Sequence, residues 1–468
     1  MISLLGSVDE SDCVRAANPT GMIRALASLF FVLFFGVCAS ADDRDAFVGQ
    51  WTGADVKDGS TLRVDVRIVR EDDGSLTWSE RIPEWLLYGW FDPDPATIDP
   101  DGTLQAPALY GGASLRIDTD RAEMIGSCAN EGVTIHLKRV PASLPEPELR
   151  EIPVAFGDGV RLAGTLVLPE GEGPFPCIVM VHPRGCYTRS MGLRRARFFA
   201  RHGYASLAYD QRGMGESEGS CEGRTIDELT SDLNIAIACA RGNASIDRAR
   251  VGVLGISAGA WVCQGAAGVQ ERAGTPLAFV ATWIGPATSV AEQQRGSGRA
   301  LGAAIGLDEE DIALVLEHVE LQLREPTEAS LERFAEIEQI ANAGGWLDRM
   351  FAPDDFPRDE AGFASLWLPR HRYDPAEDLR SLHTTRYLAV FGEDDPIVPL
   401  EDNTRALLDA MGDACTIVVV PGMGHDLARP DEERTIGDDR YFAFERPDPR
   451  PYQAVLDFLH DITSRADD

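Results

Sequence analysis

The sequence predicts a chain of mixed α/β class, with a small antiparallel β domain ahead of a mostly parallel sheet that is interrupted by a helical insertion. Three observations carry that expectation. Period-two alternation dominates from Phe47 to Val140, as in Thr61–Val69 and Gly132–Leu137. After Glu151, nearly continuous apolar runs alternate with helical patterns, which is the texture of strands buried on both faces. From Pro286 to about Pro375 the alternation gives way to acidic helical sequence.

The 468 residues leave room for roughly two or three domains. A composition of 44% hydrophobic, 25% charged and 8% aromatic residues excludes a wholly disordered, collagenous or multi-span membrane chain. Asp+Glu of 76 against Lys+Arg of 43 gives a net charge of −33, which repels phosphate backbones, so no nucleic-acid partner is expected. Lys57 and Lys138 are the only lysines, so the positive charge is nearly all arginine.

Taken in chain order, the first element is an address. The apolar run Ala25–Val37 follows Arg24 and precedes Ala39-Ser40-Ala41, the pattern of a signal peptide over residues 1–41 cleaved after Ala41. The run is short for a bilayer span, so a secreted or periplasmic protein with no membrane span after cleavage is expected. Met22 is a more natural start than Met1. Residues 42–140 form the β domain, punctuated by the turn dipeptides Asp73-Gly74 and Asp101-Gly102, and the proline-rich residues 141–150 read as a linker.

From 151 to 468 the expected strands are Arg161–Leu168, Cys177–His182, Ala205–Asp210, Val251–Ile256, Ala278–Trp283, Tyr387–Gly392 and Thr416–Val420. Helical periodicity marks Ile226–Ala240 and Thr404–Met411, and within the insertion Glu309–Leu323 and Leu331–Ala341. The insertion, about 286–375, sits between two sheet strands and is expected to cap the sheet's active edge. Its aromatics Trp346, Phe351 and Trp367 read as packing residues. Export permits disulfides. Of nine cysteines, Cys13 and Cys38 leave with the leader, and the remaining seven are an odd number, so at least one is unpaired in a monomer. No cysteine or histidine spacing matches a zinc site, and no structural metal is expected.

The chemistry is concentrated in Gly255-Ile256-Ser257-Ala258-Gly259, which follows an apolar strand and opens a helix of small residues. A nucleophilic serine must sit on a tight turn that lifts its Oγ out of the sheet. That turn brings strand and helix backbones too close for side chains at 255 and 259, and it aims the Ala258 amide toward a developing oxyanion. The serine needs a base, and the base needs an acid to hold its tautomer. Glu393-Asp394-Asp395-Pro396-Ile397-Val398-Pro399 follows the next-to-last strand, and Pro421-Gly422-Met423-Gly424-His425 follows the last. Ser257, an aspartate and His425 thus occur in that chain order, each just past a strand C-terminus. Asp394 and Asp395 compete for the acid, and Asp395 is favoured because it opens the Asp-x-x-Val-Pro turn.

These motifs resemble the α/β-hydrolase superfamily. They are most similar to exported esterases with a β-rich N-terminal domain, whose catalytic domain is related to prolyl-oligopeptidase-like serine hydrolases. The resemblance rests on Gly164–Pro169, Gly173–Pro176, Tyr209–Ser217, Gly255–Gly259, Gly392–Pro399 and Gly422–His425. It implies Ser257 as nucleophile, His425 as base, Asp395 as orienting acid and Asp210 as a structural brace. The family's second oxyanion amide follows the Cys177–His182 strand. Here His182-Pro183-Arg184-Gly185 stands there, and Pro183 has no N–H, so Arg184 is expected to join Ala258 as donor. The Arg184 side chain either faces solvent or turns to the pocket, where it would favour acidic substrates. Cys186 and Cys221 lie on loops that this fold places over one sheet edge, where a disulfide between them would pin the two loops, but the sequence leaves the pairing of the cysteines unassigned.

The activity expected is that of a serine hydrolase cleaving a small-molecule carboxylic ester, with no organic cofactor and no metal. The alternatives are a prolyl-oligopeptidase-like serine peptidase, or a non-catalytic ligand-binding protein with a vestigial triad. Residues 47–140 are too few for a propeller-type gating domain, and the oligomeric state is left unassigned.

Overall fold

A computed structural model describes residues 45–57, 60–82, 90, 93–108, 111–129, 132–140, 149–157, 159–350, 361, 371–427 and 448–464. The expected leader, most of the linker, Phe351 and Trp367 lie outside the described residues.

The alternating half folds into eight strands: β1 (Gly49–Lys57), β2 (Ser60–Arg70), β3 (Leu76–Arg81), β4 (Asp94–Ile98), β5 (Leu104–Ala108), β6 (Gly111–Asp118), β7 (Glu123–Cys128) and β8 (Val133–Arg139). Each pairs antiparallel with the next, and β1 pairs with β8 from Trp51 opposite Arg139, closing a barrel. The period-two pattern has a direct cause. In β8, Val133, Ile135 and Leu137 face the barrel interior while Thr134, His136 and Lys138 face out. Trp51, Trp78, Leu62, Ile68, Leu104 and Leu115 fill the interior. Gly53 makes the closure possible, because a Cβ there would overlap the His136 carbonyl on β8.

The second half is an eight-stranded sheet: β9 (Arg150–Phe156), β10 (Leu162–Leu168), β11 (Phe175–Val181), β12 (Ala205–Tyr209), β13 (Ile246–Ile256), β14 (Phe279–Trp283), β15 (Arg386–Gly392) and β16 (Cys415–Val420). Their spatial order is β9-β10-β12-β11-β13-β14-β15-β16. Strand β10 runs antiparallel to both neighbours, and every pair from β12 to β16 is parallel. The central strands are apolar throughout because helices cover both faces. One face packs on α2 (Ile226–Gly242) and α3 (Gly259–Arg272) through Leu233, Ile237, Ala266 and Ala267. The other packs on α1 (Ser190–Arg201) and on the C-terminal helix Arg450–Ser464, through Phe199, Tyr452, Val455 and Leu459.

Between β14 and β15 the insertion forms α4 (Val290–Ala304), α5 (Glu309–Gln322), α6 (Glu328–Ala343) and the single turn α7 (Leu347–Met350). Ser289 and Glu292 make a reciprocal capping box at the start of α4, and Asp308 caps α5 by accepting from the Glu310 and Asp311 amides. Val315, Ala341 and Trp346 form a small core inside the insertion, so Trp346 packs rather than lines an open surface. The insertion is tied to the segment after β15. Gln293 Nε2 donates to the Ile397 carbonyl, and Asn403 Oδ1, from the helix α9 (Leu400–Met411) that follows α8 (Ala376–Ser381), accepts from the Ala287 amide at 2.7 Å.

Candidate active site

Ser257 sits where β13 ends and α3 begins, with a backbone φ of +50°. A left-handed conformation costs a non-glycine residue about 1–2 kcal/mol and persists only when its surroundings enforce it. Here they do: the Ser257 amide donates to the Trp283 carbonyl on β14 at 3.0 Å, and its carbonyl accepts from the Ala260 amide at 2.9 Å. The glycines of the motif have the expected reason. A Cβ on Gly255 would lie 2.7 Å from Cys263 Sγ and from the Gly259 carbonyl, and one on Gly259 would lie 2.5 Å from the His182 carbonyl.

The loops after β15 and β16 bring two further side chains to this turn. His425 Nε2 lies 3.0 Å from Ser257 Oγ, and His425 Nδ1 lies 2.8 Å from Asp395 Oδ2. Asp395 is buried, and its Oδ1 accepts from the Ile397 and Val398 amides at 2.8 and 3.0 Å, so the Asp-x-x-Val-Pro turn fixes the carboxylate. The adjacent Asp394 is exposed; its amide donates to the Met423 carbonyl. A neutral imidazole that donates Nδ1–H to Asp395 presents the Nε2 lone pair to the serine hydroxyl, the arrangement needed to draw off its proton.

Ala258 is the N-cap residue of α3, so its amide stands at the positive end of that helix dipole. Arg184 is exposed on the loop that follows β11. At the root of this loop, burial lowers the His182 pKa to about 4, and the neutral ring donates Nε2–H to the Tyr209 carbonyl at 2.8 Å. Cys186 and Cys221 are joined by a disulfide, with Cα atoms 5.8 Å apart. Among the described residues Cys128, Cys177, Cys239, Cys263 and Cys415 are not joined in disulfides. Asp210 holds its own loop together: its carboxylate accepts from the Arg189 amide at 2.6 Å and the Glu216 amide at 3.0 Å and lies 3.2 Å from the Arg189 guanidinium.

Sequence reasoning does not single out Arg224, Gln211 or Tyr187, which knit the same loops together. The Tyr187 amide donates to Gln211 Oε1 at 2.9 Å, the Gln211 amide donates to the Tyr187 carbonyl at 3.2 Å, and Arg224 bonds to both cysteine-bearing loops. The cysteine pair was the available signal, since Arg224 follows Cys221 by three residues. Among the described residues no group of three or more His, Cys, Asp or Glu is disposed to hold a metal ion. No described helix is long and apolar enough to cross a membrane.

Comparison with known proteins finds likenesses over parts of the chain. The family model for the X-Pro dipeptidyl-peptidase (S15 family) matches residues 158–357, a span that contains Ser257 and stops short of Asp395 and His425. The esterase FrsA of Enterobacter sp. (strain 638) is 28% identical over 237 residues, covering 45% of this chain and 53% of that protein. The thiohydrolase aneE of Aspergillus aculeatus is 30% identical over 128 residues, covering 27% of this chain and 40% of that protein. The chain thus spans about half the length of these curated relatives, or less. Among solved structures, the α/β hydrolase GrgF from Penicillium sp. sh18 is 19% identical with a TM-score of 0.42, covering 69% of this chain and 99% of that one. The strand order with its single antiparallel β10 and the strand-turn-helix setting of Ser257 give this chain an α/β-hydrolase fold behind an N-terminal β barrel, and the S15 family match covers the part of that fold around Ser257.

Proposed function

We propose that the protein is a serine hydrolase that cleaves carboxylic esters of small molecules through an acyl-enzyme on Ser257. The observation that carries this is the unbroken relay from the strained Ser257, 3.0 Å from His425 Nε2, to Asp395, 2.8 Å from His425 Nδ1. Ser257 Oγ attacks the acyl carbonyl while His425 Nε2 takes its proton, and Asp395 stabilises the imidazolium. The amides of Ala258 and Arg184 receive the oxyanion. As the tetrahedral adduct collapses, His425 returns the proton to the departing alkoxide, and the alcohol leaves. Water then attacks the acyl-enzyme with His425 again as base, which releases the acid and restores the serine. These steps draw on protein side chains, backbone amides and one water.

Similarity to an esterase supports the ester class, and the family match around Ser257 supports a second reading, a peptidase acting on the same relay. The leader-like sequence before residue 42 and the Cys186–Cys221 disulfide support an exported, oxidising location. Steady-state hydrolysis of p-nitrophenyl esters from acetate to laurate tests the proposal, with Ser257→Ala alongside. The expected result is turnover that falls by about 10⁴-fold or more in the variant. Equal rates for the two proteins would overturn it, and turnover of aminoacyl nitroanilides alone would select the peptidase.

A further inference from the structure

The loop that carries Arg184 is bound to its neighbour in a way the reaction chemistry alone does not require. The Arg224 guanidinium donates through Nη2 to the Gly185 carbonyl at 2.9 Å and through Nε to the Cys221 carbonyl at 2.6 Å. The same two loops are joined covalently between Cys186, which follows Gly185, and Cys221. A rigid planar fork and a disulfide therefore converge on one peptide group, that of Gly185–Cys186.

Three facts say what this convergence is for. Gly185 has a φ of +127°, and a Cβ there would lie 2.7 Å from the Tyr187 ring, so the loop turns at a point no other residue tolerates. Peptide planarity means that fixing the Gly185 carbonyl also fixes the direction of the Cys186 N–H, and the Arg184 amide, two peptide groups earlier, is held indirectly by the short stretch between this anchor and Pro183. Arg224 is also not placed by a hydrogen-bonded ion pair. The nearby Asp232 carboxylate is taken by Arg212 in two bonds at 2.6 and 2.8 Å, and Arg224 Nη1 is buried with no hydrogen-bond partner among the described residues. Enclosing a guanidinium with a donor unmet is unfavourable. What this one holds in return is two loop carbonyls. Because Pro183 removes one donor from the loop, the remaining amides must be held in place.

We propose that Arg224 and the Cys186–Cys221 disulfide form a clamp that positions the peptide groups at 184–186 for the oxyanion, which makes Arg224 a positioning residue; the proposal rests on the serine-hydrolase function above. No contact with the acyl group or the alcohol is assigned to the clamp. It acts on the transition state through the loop.

The test compares wild type, wild type treated with a thiol reductant, Arg224→Met, Arg224→Lys and the double variant Cys186→Ser/Cys221→Ser. Cys186 is exposed, so the reductant reaches the bond. Three quantities are read: kcat and KM on p-nitrophenyl butyrate, the Ki of a trifluoromethyl ketone whose adduct carries the oxyanion, and hydrogen exchange over residues 183–187. Releasing the clamp lowers kcat by about 10- to 100-fold, leaves KM within about 2-fold and weakens the ketone by the same factor as kcat. Exchange quickens over 183–187, Arg224→Lys lies between, and the double variant ignores the reductant. Unchanged kcat, Ki and loop exchange in Arg224→Met and in reduced wild type would overturn the clamp. Should Arg224→Met fail to fold, Arg224→Lys and reduced wild type carry the same comparison. If wild type hydrolyses no ester, the proposed function fails, while the exchange measurement still decides for or against the clamp.

Discussion

The barrel and the sheet solve the burial problem in opposite ways. Each barrel strand has one wet face, so apolar and polar residues alternate, and a single apolar cluster fills the inside. Each central sheet strand has two dry faces, so β12 and β14 are buried at every position. Two-sided burial leaves only strand ends accessible, and Ser257, Asp395 and His425 all lie just past the C-terminal ends of β13, β15 and β16. Burial of a titratable group penalises its charged form in both halves, so the direction of the shift depends on whether the group is a base or an acid. It depresses the pKa of His182 beside the site to about 4 and raises that of Asp55 on β1 to about 7.

The sharpest way to break this contrast is to move chemistry between the regions. Asp395→Asn is expected to lower kcat by about 10⁴-fold, because the asparagine favours the wrong tautomer of His425. Asp394→Asn, on the exposed neighbour, and Asp55→Asn, in the barrel, should each leave kcat within about 2-fold; steady-state ester kinetics on the three variants checks this. A barrel substitution that abolished turnover would contradict the division of labour.

A smaller effect follows from His182. Its folded pKa lies below the ordinary value of 6.5, so between about 4 and 6.5 the unfolded chain binds more protons. Its contribution to stability is present above 6.5 and is lost as pH falls toward 4, a difference of about 3 kcal/mol. Urea unfolding between pH 4 and 7 should show that slope in wild type and a flatter one in His182→Gln, whose amide can still donate to the Tyr209 carbonyl.

Asp55 carries the opposite sign. Its folded pKa exceeds the unfolded value of 3.8, so its stabilising effect is greatest below 3.8 and is lost as pH rises through about 7. Asp55→Asn should therefore stabilise the barrel at pH 8, by roughly 1–2 kcal/mol, and have little effect at pH 4. Equal urea midpoints for the two proteins at pH 8 would show that the carboxylate finds water or a partner when ionised.

The parts of the molecule legible in the sequence are those where one local constraint dictates the residue. Gly255 and Gly259 flank the serine because a Cβ at either position meets the packed elbow, and Asp395 opens a turn whose amides bind its own carboxylate. The sheet strands were legible because two-sided burial leaves an unbroken apolar run. Strand β9 was not. As an edge strand it shows half-buried Ile152, Val154 and Phe156 alternating with exposed Glu151, Pro153 and Ala155, and it begins at Arg150, inside the stretch that reads as linker. Helix α1 was hidden by its arginines, which face away from Ala196, Phe198 and Phe199. Barrel closure depends on Trp51 meeting Arg139, a pairing of residues far apart in the chain that no local pattern encodes. Arg224 was missed for the same reason, because the bond that ties the two loops together runs to the Gly185 carbonyl, far away in the chain.

The most direct test of the central claim is labelling with a fluorophosphonate, followed by peptide mass spectrometry and parallel ester kinetics. The account predicts one label per chain, carried by Ser257, with hydrolysis lost in step with labelling and no label on Ser257→Ala. A label on another residue, or hydrolysis that persists in the fully labelled protein, would contradict it.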